Sequence, residues 1–370
     1  MIYFDNAATT FIKPKNVYQA VKKAIRVYAA NPGRSGHGAA NRTTEAVYDA
    51  RENVAEFFNA PGPENVVFTY NATYALNIVL KSMIYEKCHI VISDMEHNSV
   101  VRPLMKLADT YGVSYSVFDS SKHDLISEIE SKVRKDTKFI VSTFRSNVTG
   151  RDIDYRALSF VKKKYGLSLI VDASQSAGHT FTDFKRIGCD ALACPGHKGL
   201  FGITGCGIAI FKDGIIKNSV IEGGSGNESL NPYMPSKLPE SYEAGTLGVA
   251  GILSVSAGID YIKRIQVESI EEKLRILTEE CIARLEHLPH IRIIEGANGI
   301  VSIIGNGCTN AELTEQLNRR GICTRSGLHC APLAHKTLGT LSSGTVRISF
   351  SYFNKIKELD KLYKCLKEMK

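Results

Sequence analysis

Short apolar runs alternate with stretches of helical periodicity through the first two thirds of the chain, and this alternation most limits the fold. The strand-like runs are ENVVFTY, CHIVISDM, VSYSVF, TKFIVSTF, LSLIVDAS, DALACPG and GCGIAIF. Helical spacing of apolar residues recurs over 15–29, over 43–58, from NATYALNIVL, and in VRPLMKLADTYG and RALSFVKKKYG. Short apolar strands separated by helices predict an α/β fold with a mainly parallel sheet that is buried on both faces.

The pattern changes over residues 222–248, which are rich in Gly, Pro, Ser and Asn and predict a long functional loop. A long helical stretch over 250–288 follows. The remaining chain predicts an α+β module with IRIIEG, GIVSIIG, AELTEQLNRRG, TVRISFSYF and ELDKLYKCLKEM as its elements. A chain of 370 residues exceeds what one core comfortably supports. We therefore predict a large domain over 15–250 and a smaller C-terminal domain formed by 1–14 with 251–370.

Charge and cysteine content restrict the classes of function. The net charge is +8, but the basic residues are scattered among acidic and apolar ones, which favours a solvated surface over a nucleic-acid site. An acidic protein partner stays open. The nine cysteines are odd in number and form no CxxC pair, which is typical of reduced cytoplasmic thiols and not of disulfides or a metal site. The start MIYFDNAATT does not resemble a signal peptide, and no apolar run is long enough to span a membrane, so we expect a cytoplasmic protein.

Two residues that follow predicted strands suggest a cofactor. Asp172 closes the run LSLIV, and ligands of open parallel sheets bind at the carboxyl ends of strands, although a helix N-cap would also explain this residue. Lys198 lies in GHKG after the next apolar run, where burial would make it nucleophilic, although an exposed turn lysine is the alternative. Together they suggest pyridoxal phosphate (PLP), which needs a lysine for its Schiff base and a carboxylate at its pyridine nitrogen.

Three further positions fit such a site. His97 follows a predicted strand and could stack on the cofactor ring, although a capping or surface role is the alternative. The turn NAT at 71–73 opens a helix, so its free backbone N–H groups and the Thr73 hydroxyl suit a phosphate. Cys330 ends the polar stretch RSGLHC, beside His329 and near Arg325, whereas most other cysteines lie in apolar runs or helices.

Eight motifs, in one order, carry a resemblance to a known family. They are YFDNAATT (3–10), EHNS (96–99), SNVTG (146–150), VDASQSAGH (171–179), GHKG (196–199), EAGT (243–246), RSGLHCAP (325–332) and VRISFSYFN (346–354). With them the sequence resembles the class V, fold-type I PLP-dependent enzymes nearly end to end, and within that class the cysteine desulfurases. The resemblance implies the PLP-dependent transferase fold of type I, with a large and a small α/β domain.

The resemblance also implies a role for each matching residue. Lys198 would form the Schiff base, Asp172 would pair with the pyridinium, and His97 would stack on the ring and move protons. The other implied contacts are Gln175 to the phenolic oxygen, Thr73, Ala72 and His197 around the phosphate, Asn147 to the cofactor or the substrate carboxylate, Arg347 to that carboxylate, and Thr246 to the phosphate of a neighbouring subunit. The last contact implies a homodimer.

Two residues depart from the family pattern at the phosphate. Pro195 stands where Ser or Thr often precedes GHK, and it offers neither a hydroxyl nor an N–H. Ala72 stands where the phosphate turn often has a second hydroxyl. We therefore predict somewhat weaker retention of the cofactor.

The implied reaction converts L-cysteine to L-alanine. Lys198 would take the Cα proton, and the Cys330 thiolate, favoured by Arg325 and His329, would attack the substrate sulfur and become a persulfide. The short span from Cys330 to Arg347 resembles the SUF-like group of iron–sulfur cluster biogenesis, which implies a dedicated sulfur-acceptor protein. Two alternatives stay open: a lyase acting on L-selenocysteine, cysteine or cystine, and a non-catalytic scaffold.

Overall fold

The computed structural model describes residues 1–33, 35–215 and 218–369. The strands are β1 (Ile2–Tyr3), β2 (Val66–Thr69), β3 (His89–Ser93), β4 (Ser114–Phe118), β5 (Thr137–Thr143), β6 (Ser168–Asp172), β7 (Ala191–Pro195), β8 (Gly207–Phe211), β9 (Ile291–Ala297), β10 (Ile300–Gly305), β11 (Ile322–Cys323), β12 (Arg325–Gly327) and β13 (Thr345–Ser349). The helices are α1 (Lys15–Val27), α2 (Gly38–Phe58), α3 (Ala72–Met83), α4 (Asn98–Tyr111), α5 (Leu125–Glu130), α6 (Tyr155–Tyr165), α7 (Phe184–Ile187), α8 (Val249–Ile265), α9 (Val267–Leu285), α10 (Asn310–Arg319), α11 (Pro332–Thr337) and α12 (Ile356–Lys367).

A seven-stranded sheet organises the larger part of the molecule. Its strand order is β2-β8-β7-β6-β5-β3-β4, and the five strands from β7 to β4 are parallel to one another. Strand β8 runs antiparallel to both β2 and β7. Successive residues of one strand enter different core clusters: Ile90 and Ile92 belong to one, and Val91 to the other. The sheet is therefore buried on both faces, and the prediction of an α/β fold with a mainly parallel sheet is confirmed.

The C-terminal part contains a second, antiparallel sheet of strand order β12-β13-β10-β9. The N-terminal segment joins this part of the molecule, because β1 pairs in parallel with β11 and Asp5 forms a bridge with Ser349. The division into 15–250 and 1–14 with 251–370 stays a prediction.

Two local features refine the sequence analysis. The helical stretch predicted over 250–288 is confirmed, and it consists of two helices, because Gln266, between α8 and α9, has a φ of 70° that no continuous helix accommodates. The polar stretch 325–330 begins as a strand, because its first three residues form β12 against β13. Arg-Ser-Gly has little intrinsic preference for a strand, so the pairing with β13 decides its conformation.

Several residues that the sequence singled out follow strands of the large sheet. Parallel strands end at the same edge, so β3 leads to His97, β5 to Asn147 and β7 to Lys198, while β6 ends on Asp172. Among the described residues, no helix is long and apolar enough to cross a membrane. The same part of the chain holds no group of three or more His, Cys, Asp or Glu side chains suited to a metal ion. All nine cysteines are free thiols.

Candidate active site

A cavity of about 520 Å³ lies at this edge of the large sheet. Ala7 and Ala8 of the N-terminal segment form part of its wall, as does Arg325 of the small sheet. Eleven residues that the sequence analysis assigned to the site line this cavity: Ala72, Thr73, His97, Asn147, Asp172, Gln175, His197, Lys198, Arg325, His329 and Arg347. The fold thus brings together residues from both sheets, whereas Cys330 and Thr246 lie outside this lining.

Lys198 faces the cavity and is half-buried. Burial lowers its pKa to about 8, the positive charge of Arg347 acts in the same direction, and Asp172 opposes both. The backbone is fixed here, because the Thr10 hydroxyl donates to the Lys198 carbonyl at 2.7 Å. The next residue has to be glycine, because a Cβ on Gly199 would lie 2.2 Å from the Ala177 carbonyl oxygen.

Asp172 is buried at the end of β6 and lines the cavity. Its Oδ1 accepts the Ser174 N–H at 2.9 Å, and its carbonyl accepts the Phe144 N–H at 2.9 Å. One turn later, the Gln175 amide donates to the Ala7 carbonyl at 3.0 Å. The carboxylate and the amide are therefore held on a rigid edge of the sheet, with one hydrogen of the Gln175 amide still able to meet a ligand.

His97 is the N-cap of α4, so the capping role is observed, and its ring also faces the cavity. Its Nδ1 accepts the Ser99 N–H at 3.0 Å, which assigns the proton of the neutral ring to Nε2. Burial lowers its pKa to about 4, although the charge of Asp172 opposes this. The ring is therefore neutral near pH 7 and offers the cavity an N–H donor.

Glu96 lies beneath this arrangement, and the sequence analysis gave it no role. It is fully buried, and its Oε1 accepts hydrogen bonds from the Ser93 hydroxyl and, at 2.7 Å, from the Thr143 N–H. Burial raises its pKa to about 8. The carboxyl group ties the end of β3 to the end of β5 and so supports the turn that carries His97. Its place inside EHNS was the available signal.

The start of α3 forms one end of the cavity. Asn71 caps this helix by accepting the Tyr74 N–H at 3.1 Å, and the first backbone N–H groups of a helix lack intrahelical acceptors. The Thr73 hydroxyl lies 2.9 Å from the Ser99 hydroxyl. His197 Nδ1 is buried and has no hydrogen-bond partner among the described residues. These unpaired groups suit an anion.

Arg347 is buried on β13 and lines another part of the cavity. Its Nη2 pairs with Asp5 at 2.9 Å, and its Nη1 donates to the Asn147 carbonyl at 3.0 Å. Its Nε has no hydrogen-bond partner in the described part of the chain. Arg325 stands directly opposite on β12. Two neighbouring guanidinium groups with one free donor edge suit a carboxylate. The sequence analysis missed Asp5, although it lies in YFDNAATT.

Arg145 is a second residue that sequence reasoning missed. It lines the cavity with Thr143 and Asn147, because alternate residues of this segment face the same side. Its side chain is 1% exposed and forms an ion pair with Asp152 at 2.5 and 2.9 Å. No local pattern marks a buried arginine, because its partner becomes visible only when the segment folds back on itself.

Cys330 is exposed and lies next to the cavity lining that His329 contributes. Arg325 Nη2 is 3.9 Å from its sulfur, so this cation adjoins the thiol. His329 differs from expectation: its ring is buried, with Nε2 3.1 Å from the Thr345 hydroxyl, and burial lowers its pKa to about 2. The prediction that His329 favours the thiolate electrostatically is therefore wrong, since a neutral ring supplies no positive charge.

Thr246 is exposed and lines a separate cavity of about 320 Å³. The segment that carries it is held by Glu243, whose carboxylate makes a bidentate ion pair with Arg51 at 2.7 and 2.8 Å and accepts the Phe68 N–H at 2.7 Å. Both side chains of the ion pair are buried. Thr246 therefore lies at a fixed surface position outside the main cavity of its own chain.

Comparison with known proteins agrees with this geometry. A lysine and a carboxylate at the edge of a mainly parallel sheet are the arrangement of fold-type I PLP-dependent enzymes. The family model "Aminotransferase class-V" matches residues 2–362. A probable cysteine desulfurase of Methanothermobacter thermautotrophicus is 33% identical, covering 100% of this chain and 94% of the relative. One of Pyrococcus abyssi is 32% identical with the same coverage. The chain therefore belongs to the class V aminotransferase family, and within it to the cysteine desulfurases.

Solved structures support the same assignment. The apo cysteine desulfurase of Thermococcus onnurineus is 31% identical and superposes with a TM-score of 0.92, covering 100% of this chain and 94% of the other. A cysteine desulfurase of Escherichia coli is 26% identical, with a TM-score of 0.88 and coverage of 99% and 94%. A cystine C–S lyase at 20% identity and a TM-score of 0.84, covering 99% and 97%, shares the fold alone.

Proposed function

We propose that this enzyme removes sulfur from L-cysteine, releases L-alanine and carries the sulfur as a persulfide on Cys330. The observation that carries the proposal is the position of Lys198, with its lowered pKa, in one cavity with Asp172 and Arg347 and beside the turn that presents Cys330. The related proteins named cysteine desulfurase support the choice of L-cysteine as substrate.

The residues around the cavity fit PLP. The unpaired His197 Nδ1 and the first N–H groups of α3 suit its phosphate, and the Thr73 hydroxyl lies beside them. Asp172 would face the pyridine nitrogen, Gln175 would donate to the phenolic oxygen, His97 would stack on the ring, and Lys198 would hold the group covalently. When bound, PLP supplies an electron sink for the electron pair left at the substrate Cα.

The chain's own groups would bind and orient the substrate. Asp5 and the Asn147 carbonyl hold two nitrogens of Arg347 in place, which leaves its Nε edge for the α-carboxylate of the substrate. Arg325 would add a second guanidinium from the opposite strand. A planar donor fork that is fixed in advance loses little freedom when it binds a carboxylate.

Two residues would carry the chemistry. Because burial lowers the pKa of Lys198, its neutral form is reached at lower pH than in a free lysine, and in that form its Nζ can accept the Cα proton. The Cys330 thiolate would then attack the substrate sulfur, forming the S–S bond as the Cβ–S bond breaks. The electron pair of the broken bond stays with the carbon skeleton, which is protonated and leaves as alanine.

We also infer two kinds of protein partner. A second copy of this chain would place its Thr246 at the cofactor phosphate, because Thr246 is held at the surface outside its own cavity. A sulfur-acceptor protein would collect the persulfide, because Cys330 is exposed.

The decisive experiment incubates the PLP-loaded protein with L-cysteine, L-selenocysteine or L-cystine, and measures alanine, pyruvate and sulfide together with the mass of the peptide containing Cys330. Alanine with a persulfide on Cys330 is the expected result. Pyruvate with sulfide and an unmodified Cys330 would identify a C–S lyase instead. A protein that stays colourless after PLP is added would identify a scaffold.

A further inference from the structure

The turn that carries Cys330 has an unfavourable backbone. His329 and Cys330 are consecutive residues with φ values of 49° and 57°, and neither is glycine. This left-handed region is disfavoured for residues with a Cβ, so two in succession persist only where surrounding contacts hold them. The direction of the thiol therefore depends on what fastens this turn.

The carbonyl groups of His329 and Cys330 both accept hydrogen bonds from residues outside the turn. The Asn147 side-chain amide donates to the His329 carbonyl at 2.8 Å, and the backbone N–H of Asn98 donates to the Cys330 carbonyl at 2.7 Å. Within the turn, the Ala331 N–H donates to the Leu328 carbonyl at 2.8 Å. The two outside donors therefore orient the two peptide groups that flank the Cys330 Cα.

These donors belong to the half of the site that would hold the cofactor. Asn98 is the first residue of α4 and directly follows His97, while Asn147 lies in the segment after β5. The turn itself follows β12 of the small sheet. The two hydrogen bonds therefore fasten the nucleophile of one sheet to the cofactor wall of the other.

We propose that the Asn98 N–H and the Asn147 amide are positioning groups, which hold His329 and Cys330 in the left-handed conformation and so fix the Cys330 sulfur beside Arg325. This inference rests on the proposed function, because it concerns the residue that would accept the sulfur. Without these donors the turn relaxes toward negative φ, and the sulfur moves relative to the cavity. The role differs from substrate binding by Asn147, because one amide hydrogen serves the turn and the other stays available.

The sharpest variant is Asn98→Pro, because it removes the N–H and retains the helix. Proline is tolerated at the first position of a helix, where its missing N–H breaks no intrahelical bond. The preceding residue, His97, has a ψ of 154°, which is compatible with a following proline. Asn98→Ala is the matched control, since it removes the side chain and keeps the N–H.

Two readouts of the PLP-loaded protein test the proposal. Misplacing the sulfur by about 1 Å is expected to lower kcat for persulfide formation about 10- to 100-fold in Asn98→Pro, with KM for L-cysteine within about twofold and the visible spectrum unchanged. Hydrogen–deuterium exchange of residues 328–332, measured without substrate, is expected to become faster, because opening of the turn exposes the Ala331 N–H. Asn98→Ala should match the wild type in both.

An Asn98→Pro protein with a normal spectrum, normal kcat and unchanged exchange would overturn the proposal. If that variant does not fold, Asn147→Asp is measured instead, because its carboxylate cannot donate to the His329 carbonyl; unchanged exchange over 328–332 would then overturn the proposal. The exchange measurement needs no turnover. A wild type that forms no persulfide contradicts the proposed function, whereas the exchange result still decides whether these donors hold the turn.

Discussion

The two halves of the site are built differently. Asp172 ends one strand and Lys198 follows another in a sheet that is buried on both faces, so the fold itself places them. Cys330 is exposed and belongs to a turn of unfavourable backbone that follows an edge strand of the small sheet. The difference corresponds to the proposed tasks: proton transfer at Lys198 needs a lowered pKa and thus burial, whereas a persulfide must remain within reach of an acceptor.

The two halves also differ in how closely stabilising and destabilising free energies balance. Each left-handed residue other than glycine costs about 1–3 kcal/mol, and a typical hydrogen bond contributes about 1 kcal/mol. The two hydrogen bonds to the His329 and Cys330 carbonyls are thus of the same order as the strain that they oppose. The buried half of the site, which holds Asp172 and Lys198, depends on many packed side chains, so we expect it to tolerate the loss of one contact better. The position of the Cys330 thiol in the other half should respond to small changes in its hydrogen bonds.

Lys198→Ala should have the largest effect. Turnover is expected to fall by about 1,000-fold or more, because both the covalent anchor and the general base are lost, and the visible absorbance of the bound cofactor should change. Lys13→Ala is the matched control: burial also lowers the pKa of Lys13 to about 8, but this residue does not line the cavity. An equal loss in Lys13→Ala would contradict the assignment of Lys198.

Cys330→Ser should remove the chemistry of the thiol and leave cofactor binding intact. Persulfide formation and sulfur transfer are expected to fall by about 100-fold or more, because a hydroxyl does not replace a thiolate nucleophile, while the cofactor absorbance stays unchanged. Mass spectrometry measures persulfide formation, and an alanine assay measures turnover. Cys323→Ser, at a half-buried cysteine on β11, should retain activity. Full turnover in Cys330→Ser would remove this residue from the mechanism.

Arg347→Lys tests whether Arg347 binds the carboxylate of the substrate. A lysine cannot serve Asp5, the Asn147 carbonyl and a substrate carboxylate at once, so KM for L-cysteine should rise about 10- to 100-fold, with a smaller change in kcat. Asp5→Asn, which keeps an acceptor for Nη2, should have a smaller effect. A KM within about twofold of the wild type in Arg347→Lys would show that the carboxylate binds elsewhere.

The buried half was also the half that sequence could predict. Apolar runs followed by Asp172 and by Lys198 are local signals, and parallel strands bring their carboxyl ends to one edge, so these residues could be grouped without coordinates. The detailed roles came from the resemblance and stay predictions. Local pattern also located α3, whose N-terminus faces the cavity as expected.

Contacts between distant segments were not predictable. Asp5 reaches Arg347 across most of the chain, and Arg145 pairs with Asp152 only after the backbone reverses. The role of His329 was misjudged for the same reason, because burial in the packed structure lowers its pKa and the charge of Arg347, from another strand, acts in the same direction. Such side chains carry no periodicity, so only the packed structure reveals them.

Glu96→Gln tests the support beneath His97 through stability. Because the native pKa is about 8 and the unfolded value is ordinary, the unfolded chain binds fewer protons between about pH 5 and pH 8, so the wild type loses stability as pH rises through this interval. Gln removes that loss, which is on the order of 3 kcal/mol between pH 5 and pH 8 at about 1.4 kcal/mol per pKa unit. The Tm advantage of Glu96→Gln over the wild type should therefore be larger at the higher pH.

The control is Glu286→Gln, at an exposed position. The Tm difference between this variant and the wild type should be the same near pH 5 and near pH 8. A Tm difference between Glu96→Gln and the wild type that stays constant with pH would contradict the buried, protonated carboxyl.

Pro195→Ser should have the smallest effect. Pro195 lines the cavity and donates no hydrogen bond, so a serine hydroxyl there could add one donor for the cofactor phosphate. One charge-assisted hydrogen bond that replaces a bond to water is worth about 1–2 kcal/mol, so the dissociation constant of PLP should fall about 5- to 30-fold at most. Titration of the apoenzyme with PLP measures this, and Ala72→Ser, at the start of α3, is the matched variant. Unchanged PLP affinity in both variants would mean that the helix N-terminus and His197 already satisfy the phosphate.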